Sequence, residues 1–461
     1  MHATELLQLL RRSRVLRGAE LLLRLQASRP AMNRATMMRM IRRLGDQVVM
    51  GGAARSSSYA ARRAIRGNTQ ALPLYQIDRQ GRGVQVATLD PIYPNGCLLK
   101  VDAAFEWPIQ ADWKDGWFAG LPYPLDDMRP QGFLGRHFAH THAAAFQVPE
   151  DPDRWDEDDV LAVLSVLGSD TSGNLIVGEA AYRRHLLRLQ EGYQPIVEDL
   201  LPETYAGLAV QAMEHGSAGA SAGGEFPKFT AYRIKDNQPG HVLVKFSGND
   251  QSASVQRWSD LLICEHLALQ MINAHLPLSA AQSCLIQTDH RTFLEVQRFD
   301  RHGEFGRSAM CSWAAIEAAW FGIAGSTWIV GAQRLFKEKL ISATTRQHIT
   351  ILWHFGKLIA NTDMHEGNLS FSPSTNKATL ELTPAYDMLP MLYAPVRGVE
   401  ISRKTFTPEL PMPSDVESWR IAAQAAQKFW SAAADDQRIS ADFRRCCAEN
   451  GGLVARALEK I

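Results

Sequence analysis

The stretch Ala360-Asn-Thr-Asp-Met-His-Glu-Gly-Asn-Leu-Ser-Phe371 sets an aspartate, Asp363, and an asparagine, Asn368, five residues apart in a short polar loop between two apolar runs. That spacing suits a phosphoryl-transfer loop. In such a loop the aspartate orients the hydroxyl that attacks a γ-phosphate, and the asparagine oxygen holds a magnesium ion. Asp387, in Leu382-Thr-Pro-Ala-Tyr-Asp-Met-Leu389, follows at a distance suited to a hairpin return and can supply a second metal ligand.

Upstream lie the other groups that such a loop requires. His241-Val-Leu-Val-Lys-Phe246 predicts a strand with Lys245 among apolar neighbours. A lysine there needs an anion: a nucleotide phosphate, or the carboxylate of Glu265 on the helical stretch 258–271. The alternative is a strand-edge lysine that keeps its ammonium in water. Before Lys245, His215-Gly-Ser-Ala-Gly-Ala-Ser-Ala-Gly-Gly224 is a small-residue loop leading into a predicted strand, Phe229-Thr-Ala-Tyr-Arg-Ile234. Its backbone, including Gly223 and Gly224, can approach a phosphate, although the same composition makes a linker. Cys284-Leu-Ile-Gln287 and Thr292-Phe-Leu-Glu-Val-Gln-Arg-Phe299 predict another strand pair. In a two-lobed nucleotide enzyme this hairpin ends at the hinge, so Gln297, Arg298 and Phe299 would flank an adenine. Beyond it the pattern turns helical, over 312–321, 328–335, 344–358, 417–434 and 440–458. Strands first and helices after give an α+β, protein-kinase-like, two-lobed plan.

The 461 residues predict about three domains, and an apolar fraction of 46% with 21% charged residues is ordinary for a globular protein. Charge is distributed unevenly. Residues 1–66 hold fourteen arginines, no lysine and three acids, a net of +11, whereas the formal charge of the whole chain is zero. A small basic module on an acidic body points to a polyanionic partner. The six cysteines show neither metal-ligand nor disulfide-framework spacing and read as buried thiols. Without an apolar leader or an apolar run of about 18 residues, the sequence predicts a cytoplasmic protein with no membrane partner.

Within the basic module, apolar stripes over 4–12 and 19–25 predict two helices. Asn33 can cap a third, which carries Met37, Met40, Ile41 and Leu44 on one side and ends at Gly45. Strands at 48–50 and 55–59 around Gly51-Gly52 follow. This pattern resembles a winged helix-turn-helix DNA-binding domain with 33–44 as recognition helix and 48–62 as wing. Asn33, Arg34, Thr36 and Arg39 would then face base edges, with Arg55, Arg62 and Arg63 on phosphates; the alternative is a basic bundle that binds acidic protein. A winged domain reading a palindrome would work as a homodimer. The segment 72–201 mixes short runs and turns: strands at 84–89 and 96–101, a helix over 158–167, and turn-rich loops at Gly132-Phe-Leu-Gly135 and 169–173. Trp107, Trp113, Trp117 and Trp155 read as core or interface anchors.

Asn361-Thr-Asp-Met-His-Glu-Gly-Asn368 fits N-x-D-x-H-x-x-N, with Pro384-Ala-Tyr-Asp-Met388 behind it. Together these motifs resemble the HipA family, kinase-like toxins of bacterial type II toxin–antitoxin systems, over roughly 75–455. The resemblance implies Asp363 as catalytic aspartate, Asn368 and Asp387 as magnesium ligands, Lys245 as the ATP-phosphate lysine and Ser221 as an autophosphorylated serine, with Ser217 competing. His365 would order the loop. Phe226 departs from the family's glycine-loop pattern, where glutamine is usual. The basic module is a second departure, since DNA binding in this family comes from a separate HipB-like antitoxin. Four domains are therefore expected: 1–66, winged helix-turn-helix; 72–201, HipA-like N-terminal subdomain; 202–300, kinase N-lobe with its glycine-rich loop; and 301–461, helical C-lobe.

Two functions follow as expectations. The first is an ATP- and Mg²⁺-dependent serine/threonine protein kinase toxin, which autoregulates through 1–66 and has a possible antitoxin. By kinship its substrate would be a translation protein such as an aminoacyl-tRNA synthetase. The second is a DNA-binding regulator or DNA-acting toxin whose kinase-like body senses nucleotide.

Overall fold

Leu6, Leu7 and Leu10 of the first helix, His2–Ser13, bury in one cluster with Leu21 and Leu25 of Gly18–Ser28 and Met37, Met40 and Leu44 of Arg34–Leu44. The apolar spacing is helical, so each helix offers one face to this small core. A short strand, Leu16–Arg17, pairs with Ser58–Ala61, which pairs in turn with Val48–Gly51. The second hairpin strand thus lies beyond the expected 55–59. In this computed structural model the described residues are 2–52, 57–110, 113, 115–214, 226–288, 291–323, 325–375, 379–396 and 404–461. Arg55, Ser217, Ser221, Gly223 and Gly224 lie outside them.

A five-stranded antiparallel sheet follows, in the order Trp117–Phe118, Cys97–Val101, Gly83–Pro91, Leu72–Ile77, Leu175–Val177. Among its helices are Gly132–Phe146, Glu157–Leu167 and Glu179–Glu191. The expected turns at Gly132 and Gly135 are instead the first turn of a helix, because Gly135 serves packing. A Cβ there would stand 2.4 Å from the Pro130 backbone. Trp107 and Trp155 are buried in the main core, as their size favours. Trp117 packs against the basic module, where Gly51 leaves room for its ring: a Cβ would lie 2.8 Å from it.

Ionic ties reinforce that contact. Arg62 pairs with Asp90 at 2.6 Å, Arg63 with Asp158 at 2.9 Å and Glu157 at 3.3 Å, and Arg66 with Asp159 at 2.5 Å. The acids Glu157, Asp158 and Asp159 occupy the first turn of Glu157–Leu167, which a reciprocal Asp156–Asp159 capping box closes.

The next sheet has four antiparallel strands in the order Ser283–Gln287, Thr292–Gln297, Gln238–Phe246, Lys228–Lys235. Strand alternation sends Val242, Val244 and Phe246 to one face, where they meet Leu201, Tyr205 and Ala209 of helix Leu201–Glu214. Lys245 therefore turns to the other face, towards the 23-residue helix Ala253–His275. A buried charge network joins this sheet's end to the middle segment: Arg301 reaches Asp170 at 2.8 Å and Asp300 at 2.6 Å, and donates to the Gly173 carbonyl at 3.0 Å.

From there the chain is mainly helical, with Trp313–Phe321, Trp328–Lys337, Ala343–Leu358, Val416–Asp435 and Ala441–Leu458. A small sheet of Cys311–Ser312, Ser370–Pro373 and Leu380–Leu382 interrupts the helices. The architecture is α+β. Among the described residues no helix is long and apolar enough to cross a membrane.

Candidate active site

Lys245 Nζ lies 2.8 Å from both carboxylate oxygens of Glu265 and also contacts Asp387 Oδ1. The strand supplies the lysine, the following helix the glutamate, and the segment after the small sheet the aspartate. Lys245 is 3% exposed and Glu265 0%, whereas the Asp387 side chain keeps 29%. Burial by itself would lower the Lys245 pKa, but the Asp387 and Glu265 carboxylates outweigh it and raise it. Burial also pushes Glu265 up, with Lys245 offsetting only part. Asp387 goes the other way: burial would raise it, yet Lys245 and then Lys228 hold it below the usual carboxylate value.

The loop 360–371 comes to this cluster through Asn361. Its side chain, 2% exposed, accepts from Asp363 N at 3.0 Å and donates to the Asp387 carbonyl at 3.2 Å. One amide therefore fixes the backbone of both aspartates. Ala360 and Asp387 flank it at φ 60° and 56°, a left-handed conformation that is uncommon outside glycine. Gly356 lets the loop close on helix Ala343–Leu358, because Met364 Sδ occupies the place a Cβ would need, at 2.4 Å.

Asp363 is exposed at the mouth of the loop. Asn368 is buried and its Nδ2 donates to the Asp363 carbonyl at 2.8 Å, so the amide oxygen is the atom left for a cation. His365 Nδ1 accepts from Gly367 N at 3.0 Å, which caps the short turn Glu366–Asn368. Trp328 Nε1 holds the His365 carbonyl at 3.1 Å, and Glu366 accepts from Ser326 N at 2.7 Å. Phe299 stands 6.0 Å, ring to ring, from Tyr386 beside Asp387, while Gln297 is exposed at its strand end. Phe226 packs edge-on to Trp258 at 4.6 Å and lies 5.9 Å from Lys245 Nζ.

The donor set fits magnesium. One carboxylate and one amide oxygen are hard ligands, and this ion is commonly held by one or two carboxylates together with substrate phosphates. Among the described residues no cluster of three or more His, Cys, Asp or Glu suits a metal that demands a full protein cage.

Asn361, the first position of the N-x-D-x-H-x-x-N pattern, and Tyr386, within Pro384–Met388, had no role assigned from the sequence. Tyr386 contacts Ser370 Oγ at 2.6 Å and donates to the Gly367 carbonyl at 3.0 Å, which ties the Asp387 segment to the loop. For Asn361 the signal was its place in the pattern; Tyr386 adjoins Asp387, and adjacency was the one signal available there.

At the other end of the chain, Asn33 Oδ1 accepts from Thr36 N at 2.9 Å, and Arg39 donates to Thr36 Oγ1 at 3.1 Å. Arg34, Arg39, Arg42 and Arg43 are exposed on helix Arg34–Leu44. Arg62 and Arg63 are separated from them, held by acids of the middle segment.

Residues 68–186 match the model of the YjjJ-like toxin middle domain, and 220–449 match that of the HipA-like C-terminal domain. The chain is 35% identical over 433 residues to Toxin YjjJ of Escherichia coli (strain K12), covering 94% of each. Similar solved structures include the following two. One is the Shewanella oneidensis MR-1 toxin–antitoxin complex of HipA, HipB and operator DNA, with TM-score 0.49, 12% identity, and 84% of this chain and 97% of that one covered. The other is the Helicobacter pylori proinflammatory kinase CtkA, with TM-score 0.34, 13% identity, and 50% and 91% covered. On the extent of the sequence match, the chain belongs to the family of YjjJ-like, HipA-type toxins.

Proposed function

We propose that the chain is an ATP- and Mg²⁺-dependent protein kinase that phosphorylates serine or threonine, and that it acts as a toxin through this activity. The observation that carries the reading is the convergence of Lys245, Glu265 and Asp387 with a loop whose Asp363 is fixed by Asn361. Glu265 holds Lys245 where a nucleotide phosphate can replace Asp387 as its partner. Asp363, exposed and anchored through its backbone, orients the substrate hydroxyl and receives its proton. Asn368 and Asp387 would hold the magnesium ion, which supplies charge neutralisation to the phosphates. Phe299 would pack on the adenine. Chemistry of this kind is mainly positioning.

The test is transfer of labelled γ-phosphate to protein by the wild type and by Asp363→Ala. Loss of transfer in Asp363→Ala, on the order of a hundredfold to ten-thousandfold, is expected. Unchanged transfer would overturn the reading.

A DNA-binding role for 1–66 rests on a separate observation. Three helices and a hairpin, in winged helix-turn-helix order, expose Arg34, Arg39, Arg42 and Arg43 on one helix. We read this helix as the one that enters DNA, with Asn33 acting as its cap. Arg62 and Arg63 serve as ties to the middle domain rather than as phosphate contacts. Deletion of 1–66 should abolish specific gel shifts, and retention of them would exclude the role.

A further inference from the structure

Lys235 and Cys284 sit at opposite edges of the four-stranded sheet, Lys235 at the end of Lys228–Lys235 and Cys284 in Ser283–Gln287. Lys235 Nζ lies 2.5 Å from Cys284 Sγ. Carboxylates are close by, yet they are engaged elsewhere. Glu295, on the strand next to Cys284, accepts from Tyr205 OH at 2.6 Å and from Arg233 Nε at 3.2 Å, and Glu198 accepts from Asp236 N at 3.0 Å. The ammonium is therefore directed to sulfur. Burial would lower the Lys235 pKa, but the Cys284 sulfur together with the Glu295 and Asp236 carboxylates outweighs it and raises it.

Cys284 is also within reach of solvent. Cys97, Cys264, Cys311 and Cys447 are buried, while Cys284 and Cys446 are half-buried, and Cys446 is approached by the Asn450 amide at 3.8 Å. Among the described residues Cys284 alone has a lysine nitrogen against its sulfur. Sulfur oxidised by a peroxide becomes a sulfenic acid, which condenses with a nearby thiol or nitrogen. Here the nearest such group is an amine.

We propose that Lys235 and Cys284 form a reversible sulfur–nitrogen bridge when a hydroperoxide oxidises the cysteine. The sulfur attacks one peroxide oxygen, the O–O bond breaks, an S–O bond forms and water leaves. Burial disfavours the ammonium, and once the cysteine is oxidised Lys235 passes one proton to solvent water, which frees the electron pair on nitrogen. Nitrogen then attacks sulfur, the S–O bond breaks, and the departing hydroxide takes a proton from nitrogen as a second water. Thiol, amine and hydrogen peroxide thus give one sulfenamide and two waters; the cysteine loses two electrons and the peroxide gains them. The bridge would staple the outer strands across the inner ones, one of which carries Lys245. It does not depend on the kinase reading.

The experiment treats the purified full-length protein with hydrogen peroxide and reads its mass after denaturation, followed by tryptic mapping. A loss of about 2 Da is expected, with a linked peptide pair that lacks cleavage after Lys235 and separates under dithiothreitol. Cys284→Ser and Lys235→Arg should each lack the linked pair, and Lys235→Arg should accumulate dimedone-reactive sulfenic acid at Cys284. If wild type instead gains about 16 or 32 Da at Cys284 without a linked pair, the proposal is overturned. An unmodified Cys284 overturns it equally.

Discussion

Lys245 holds two carboxylates with one ammonium, so its removal leaves Glu265 buried without a counter-charge. Breaking a buried pair in this way costs about 3–5 kcal/mol. Lys245→Met should therefore lower the thermal midpoint as well as abolish phosphotransfer, and an unchanged melting curve would refute this account of the cluster. Asp387 adds a pH signature. Its folded pKa is lowered, so its contribution to stability is present above the ordinary carboxylate value and is lost as pH falls through the depressed one. Below about pH 4, Asp387→Asn should show a shallower acid loss than wild type, by up to roughly 1.4 kcal/mol per pH unit, in denaturation measured across that range. Asn361→Ala, which frees the backbone of two aspartates, should cost about 1–3 kcal/mol and reduce kcat more than it raises KM for ATP. At this scale the sequence was informative where chemistry demands a residue type: a lysine among apolar strand residues needs an acid. It marked Asn361 as a pattern position but did not reveal its task, because a side chain that bonds a carbonyl 26 positions away leaves no periodic trace.

Helix Trp328–Lys337 meets helix Trp313–Phe321 through Gly331, where an added Cβ would lie 1.9 Å from the Trp313 ring. Trp313 is fully buried and cannot move cheaply. Gly331→Ala should therefore cost about 1–3 kcal/mol by overpacking. Because Trp328 of the same helix holds the His365 carbonyl, the candidate loop should be displaced too. Calorimetry and phosphotransfer on this variant should fall together. The opposite sign is expected at Gly207, exposed on helix Leu201–Glu214 with nothing near its missing Cβ. There Gly207→Ala should stabilise by about 0.5–1 kcal/mol, read as a raised thermal midpoint. Both glycines sit in helices, so composition alone would assign them one cost. The same difficulty explains the reading of Gly132-Phe-Leu-Gly135 as turns: glycine marks a turn or a close approach, and the neighbour that decides, the Pro130 backbone, has no signature of its own. Elements with long apolar periods, such as Val416–Asp435 and Ala441–Leu458, were legible to within a residue or two because burial dictates their spacing.

The basic module and the acidic body are joined by the charges that make them differ. The surplus of +11 over residues 1–66 is visible in the sequence, but its division between contacts inside the molecule and surface outside it is not. Arg62, Arg63 and Arg66 face Asp90, Asp158 and Asp159, and their partners come from segments that no local pattern connects to them. Arg34 and Arg39, on helix Arg34–Leu44, remain exposed. If the module binds DNA through that helix, the affinity should fall with salt, each phosphate contact adding about one to the slope of log affinity against log salt. Arg34→Ala or Arg39→Ala should then lower the slope by about one when it contacts phosphate, whereas a contact to a base should relax sequence preference at one position. Arg62→Ala should leave the slope unchanged and instead loosen the module from the body, seen as faster proteolysis between residues 61 and 72. Titration of an operator fragment at several salt concentrations with the three variants separates these roles. A slope that falls as far for Arg62→Ala as for Arg34→Ala would place the tie arginines on DNA and refute the division.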